Sequence, residues 1–197
     1  MSDVPDVVRT PLRNYVLVGL ALIGLQAFIL YAMGRVPICT CGTIKLWYDV
    51  VQSAENSQQI FDWYSFSHVL HGFGFYCLAW LALPRAPWGL RLVLAVAGEA
   101  AWEVFENTDF IINRYRSETM SMHYYGDSII NSVGDTVAMV FGFLLASRLP
   151  VIAIIALIAI IEIGLAWWIR DNLTLNIVML IHPIEAIRDW QAAAPLH

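Results

Sequence analysis

Charge is what this sequence has least of. Only 14% of its 197 residues are Asp, Glu, Lys or Arg, against roughly 25% in soluble domains. With 59% hydrophobic residues and a mean hydropathy of +0.63, such a chain would leave wide apolar patches in water, and those aggregate. An ordinary soluble domain is therefore excluded, and a lipid bilayer is the expected partner. Basic residues are scarce too, 11 in all and scattered. Without a Lys/Arg-rich run to grip phosphates, nucleic acid is not an expected partner. Cysteine is nearly absent: Cys39, Cys41 and Cys77. Three are too few for a disulfide framework, and the C-x-C pair cannot complete a tetrahedral zinc site alone. A bridge across one intervening residue is uncommon, so the redox state of Cys39 and Cys41 stays open, with free thiols or pairing between chains as alternatives. Repeats and low-complexity stretches are missing. So is a clear cleavage site after MSDVPDVVRTPLR, and the apolar run that follows reads as a retained signal-anchor helix.

What is present is a series of apolar runs. A spanning helix needs about 20 mostly apolar residues. Six segments come near this, at about 14–34, 65–83, 88–106, 127–147, 151–169 and 172–187. The expectation is an all-α integral membrane bundle of about six transmembrane helices in one domain covering 1–197. The last segment is short, and Pro183 kinks it or ends it early. With the N-terminus in the cytoplasm, Arg9, Arg13, Arg85, Arg91, Arg148 and Arg188 lie inside; Arg35, Lys45, Arg114, Arg116 and Arg170 lie outside. That balance decides little by itself. Arg9 and Arg13 just before the first span, short inner loops and a C-x-C better suited to an oxidising space favour N-inside.

Ionisable residues inside spans carry the functional information, because burying a charge in hydrocarbon is costly. In SFSHVLHGFGFY, His68 and His71 are three apart and share a helical face. In GEAAWEVFEN, Glu99, Glu103 and Glu106 follow an i, i+4, i+7 pattern on one face. In GDSIINSVGDT, Asp127, Asn131 and Asp135 recur every four residues. The histidines open the second span, the glutamates close the third, and the aspartates open the fourth. At 1.5 Å per residue each set covers roughly 10–12 Å below the same membrane face. Short connections make these antiparallel helices neighbours. A shared polar site in the outer leaflet is therefore expected, lined by His68, His71, Glu99, Glu103, Asp127, Asn131 and Asp135. Imidazole and carboxylates together suit a divalent metal ion, with His68, His71, Glu99, Glu103, Asp127 and Asp135 as ligands. The same groups can act as acid and base. The plainer readings are histidine–carboxylate bonds that merely glue helices, and Asp127 as a helix N-cap. Glu162, the pair His182 and Glu185, and the loop histidine His123 are lesser candidates.

The runs GRVPICTCGTIKLWYDVV, FDWYSFSHVLHGFGFY, GEAAWEVFENTDFIINRYR and YYGDSIINSVGDT resemble the bacterial domain-of-unknown-function 2585 family, also called uncharacterised protein family 0314. The resemblance implies a multi-pass protein of the bacterial inner membrane and no assigned activity. A fainter likeness is to VanZ-like membrane proteins, through His71 with Gly72 and Phe73, then Glu99 or Glu103, then Asp127, Asn131 and Gly134. The basic residue expected before the histidine is missing, because position 68 is His. Three function classes stand. One is an intramembrane enzyme acting on a lipid-linked or cell-envelope precursor. The second is a non-catalytic accessory or assembly protein, and the third a small ion- or proton-coupled transporter.

Overall fold

The computed structural model describes residues 10–119 and 124–192, so His123 and Arg9 lie outside it. Among the described residues there are eight helices and no strand. They are α1 (Leu12–Ala32), α2 (Ser65–Ala82), α3 (Trp88–Glu106), α4 (Asp109–Glu118), α5 (Ile129–Ala146), α6 (Val151–Ile169), α7 (Leu173–Ile181) and α8 (Glu185–Ala192). The chain is all-helical, as its composition demands.

Three of these helices are long and apolar enough to cross a membrane: α1, α5 and α6, with mean hydropathies of 2.1, 1.7 and 2.5. α2 and α3 have comparable lengths of 18 and 19 residues, but their histidines and glutamates dilute the apolar run. The expected sixth span does not form as one helix. It breaks at His182-Pro183 into α7, of nine residues, and α8, of eight. Proline lacks an N–H and clashes with the preceding turn. At 1.5 Å per residue α7 is about 14 Å long, half a hydrocarbon core. A further helix, α4, stands between the third and fourth expected segments. Thr108 starts it by accepting a hydrogen bond from the Ile111 backbone N–H.

The body is α1, α2, α3 and α5, with α2 packed most closely on α5 and α1 on α3. Glycine sets the α2–α5 approach. A Cβ at Gly72 would collide with the backbone of Met139 and Phe143, and one at Gly142 with the Val69 carbonyl. Small residues at a crossing let helix backbones touch, which drives association where water cannot. α6 leans lightly on this body and leaves most of its apolar surface outward.

The 33–64 segment folds over the end where α2 and α5 begin. Its Ser57, Gln58, Gln59 and Asp62 are buried. The Gln58 amide donates to the Gly126 carbonyl at 2.7 Å, and the Ser128 hydroxyl donates to the Gln58 carbonyl at 3.0 Å. Cys39 and Cys41 are joined in a disulfide within this segment, rather than free or paired between chains.

Candidate functional site

Ser128, not Asp127, is the N-cap of α5, its Oγ accepting from the Asn131 N–H at 3.2 Å. Asp127 is thereby free to face inward. Its backbone N–H and one carboxylate oxygen are both held by Asn107, each at 2.7 Å.

His68 is the hub. Its Nδ1 lies 2.5 Å from Glu99 Oε1 and 3.3 Å from Glu103 Oε1, and its Nε2 lies 3.8 Å from Asp135 Oδ2. His71 Nδ1 sits 3.1 Å from Glu99 Oε2. The i, i+3 spacing of the histidines thus places both rings on one carboxylate, with ring centroids 4.9 Å apart. The i, i+4, i+7 spacing on α3 carries the carboxylates onward to Glu106. Glu103, Glu106 and Asp127 offer oxygens within 4.8 Å of one another, as do groups of His68, Glu103 and Asp135. Glu99 and Glu103 are fully buried. Six of the seven expected site residues therefore converge. Asn131 is buried beside them, but its amide nitrogen makes no hydrogen bond and it belongs to none of these groups.

Uncharged residues hold the carboxylates in place. The Ser65 hydroxyl donates to Asp135 Oδ1, and the Ser132 hydroxyl to Glu103 Oε2, each at 2.6 Å. Behind Ser132 stands Gln26 of α1, whose amide donates to the Ser132 hydroxyl at 2.8 Å. Gln26 is thus the reason α1 is more than an anchor. On the other side, the Tyr115 hydroxyl donates to Glu106 at 2.8 Å and the Tyr124 hydroxyl to Asp127 at 3.1 Å. Burial, then the charge of those carboxylates, pushes both phenols well above their usual range, so they remain donors.

The cluster floors a cavity of about 400 Å³. It is lined both by ionisable side chains, His68, His71, Glu106, Asp127 and Asp135, and by apolar ones, Leu70, Phe75, Leu78 and Trp102 with Leu173, Ile177 and Leu180 of α7. At Gly74 a Cβ would meet nothing within 4 Å, so this position borders open space. α7 is held there by Glu162, whose carboxylate accepts from the Leu173 and Thr174 N–H groups at 3.1 and 3.2 Å. Glu162 is therefore a helix cap and not a member of the cluster. His182 and Glu185 stand exposed on either side of Pro183. The sequence patterns missed the tyrosines and the serines, because hydroxyls at ordinary spacing carry no signal, and they joined α7 and α8 into one expected span.

These features define a class: an all-helical, membrane-associated protein with a buried histidine–carboxylate cluster beneath an amphipathic cavity. The chain belongs to the family described as "Protein of unknown function (DUF2585)", whose model matches residues 30–193. It is similar to a UPF0314 protein of Sphingopyxis alaskensis, 55% identical over 177 residues, covering 89% of this chain and 94% of that one. A UPF0314 protein of Paracoccus denitrificans is 54% identical over 172 residues, 87% and 89% of the two chains. UPF0314 protein R03235 of Rhizobium meliloti is 51% identical over 178 residues, 90% of each. No solved structure matches the chain.

Proposed function

We propose that this protein is an intramembrane enzyme acting on an amphiphilic substrate, a lipid-linked or cell-envelope precursor, by acid–base or metal-assisted chemistry. The observation that carries the reading is one cavity lined by both ionisable and apolar side chains. A headgroup placed against His68, His71 and Asp135 leaves its chain along Leu70, Leu78, Ile177 and Leu180. Ligand sites are mostly apolar with a few convergent polar groups, and this one adds candidate acids and bases. The protein sits in the bacterial inner membrane with its N-terminus in the cytoplasm and the cluster in the outer leaflet. α2 and α3 cross beside α1, α5 and α6. The Cys39–Cys41 disulfide supports an oxidising space for the 33–64 segment.

A second reading has its own observation. The chain from Thr136 through Gln26 and Ser132 to Glu103 ties α1, α3 and α5 together, which is what a non-catalytic accessory protein needs. Gly74→Leu separates the two. The new side chain enters open space, so folding is retained while the cavity fills. Purified protein and variant are labelled with a phospholipid carrying a photoreactive acyl chain, and adducts are mapped by mass spectrometry. Labelling of α2 and α7 that drops at least tenfold in Gly74→Leu is expected. Equal labelling of both would sink the substrate reading and leave the helix-holding one.

A further inference from the structure

We infer that His68, Glu103 and Asp135 form a mononuclear divalent-cation site beside the cavity, with one coordination position left toward the cavity. One ligand atom from each of the three lies within 4.8 Å of the others. More telling is how each is held. Every member has one polar atom in a hydrogen bond and another in none. The contact of His68 Nδ1 with Glu99 fixes the ring and turns Nε2 toward Asp135, so that in the Nδ1–H tautomer Nε2 has its lone pair for a cation. Asp135 Oδ1 is pinned by Ser65, and its Oδ2 lies 3.8 Å from that Nε2, too long for a hydrogen bond. Two ligands on one ion stand about this far apart when each bond is about 2.0–2.2 Å. Glu103 Oε2 is pinned by Ser132, while Oε1 is buried and makes no hydrogen bond, its nearest charged neighbour being the His68 ring at 3.3 Å.

That last atom is the independent mark of a missing ligand. A buried oxygen without a donor is costly unless a cation or proton meets it. A divalent ion would balance the two ligating carboxylates, while the Glu99 carboxylate is shared between His68 and His71. Metal-bound histidines characteristically donate their other ring N–H to a carboxylate, and ligating carboxylates are themselves hydrogen-bonded. Glu99, Ser65 and Ser132 supply those contacts. His68 and Asp135 also line the cavity, so a bound ion would face its contents. Three protein ligands plus an open position is the arrangement of catalytic rather than structural metal sites.

The cation site shares its cluster with the functional proposal but is tested apart from it. Full-length protein in mild detergent is stripped with a chelator, reloaded with Mn²⁺ or Zn²⁺ alone, and assayed for bound metal by mass spectrometry and for affinity by titration. Wild type is expected to hold one ion per chain. Glu103→Gln and Asp135→Asn are expected to lose it. Should either fail to fold, Ser65→Ala and Ser132→Ala serve, each expected to bind one ion about 10–100-fold more weakly. Absence of stoichiometric ion in folded wild type overturns the site. So does unchanged affinity in Glu103→Gln, or in both serine variants. Ion binding without lipid labelling would instead overturn only the substrate reading.

Discussion

A residue's chemistry here depends on which of its atoms are already engaged. Gln26 shows the point most simply. In α1 it is one amide in a run of apolar side chains, yet it is buried and fully employed. Its amide nitrogen donates to the Ser132 carbonyl at 3.1 Å and hydroxyl at 2.8 Å, and its carbonyl accepts from the Thr136 hydroxyl at 2.9 Å. Hydrogen bonds between helices in a bilayer average only about 0.6 kcal/mol, but leaving buried partners unsatisfied costs more. Gln26→Leu is therefore expected to destabilise the protein by about 1–3 kcal/mol, read as a lower Tm in detergent. An unchanged Tm would mean that Ser132 and Thr136 find other partners. At this scale the sequence was readable where charge was involved. His68, His71, Glu99, Glu103, Asp127 and Asp135 stood out because ionisable groups are rare in apolar runs. Ser65, Ser132, Tyr115 and Tyr124 did not, since a hydroxyl is unremarkable in any helix or loop until its partner is known.

Among the elements, periodicity located α1, α2, α3, α5 and α6 to within a few residues, because each presents a long apolar run ended by proline or polar residues. α4 escaped, and α7 was read together with α8 as one span, for a common reason: both are shorter than a span and depend on tertiary contacts. α7 in particular owes its place to Asp171, just before it. Asp171 accepts from the Asn172 N–H and the Gln191 amide, each at 2.9 Å, and from the Tyr64 hydroxyl at 3.1 Å. It thereby ties α8 and the start of α7 to the entry of α2. Burial raises its pKa from 3.8 to about 6, while these hydrogen bonds act in the opposite direction. The native state then holds more protons than the unfolded chain between about pH 4 and 6. Stability conferred by this group falls as pH rises through that window and is flat above it. By about 1.36 kcal/mol per pKa unit the effect is at most about 3 kcal/mol. Amide hydrogen exchange in α8, followed from pH 4.5 to 7.5, is expected to quicken relative to the intrinsic rate as pH rises. The slope disappears in Asp171→Asn. A slope that persists in the variant places the titration elsewhere.

For the molecule as a whole, what matters is that polarity occupies one end. The cluster lies where α2 and α5 begin and α3 ends. One to two turns further into the bundle the core is Ala95, Val96, Met139 and Phe143, all buried, with Leu22, Ile23, Phe75 and Tyr76 packed around them. A conducting or carrying path needs polar groups or water continuous to the far side, since charge in hydrocarbon is expensive. This plug is apolar, and close packing of Gly72 and Gly142 against the facing backbones leaves little room for α2 and α5 to open it. The asymmetry suits a pocket reached from one leaflet and argues against a pathway. Protein reconstituted into liposomes loaded with a pH-sensitive dye, under an imposed proton gradient, is accordingly expected to leak no faster than empty liposomes. Glu99→Gln should change nothing in that assay, although Glu99 holds both histidines. A gradient that collapses with wild type and survives with Glu99→Gln would transfer the cluster from a substrate pocket to a proton-coupled carrier. The plug would then have to open in a second conformation.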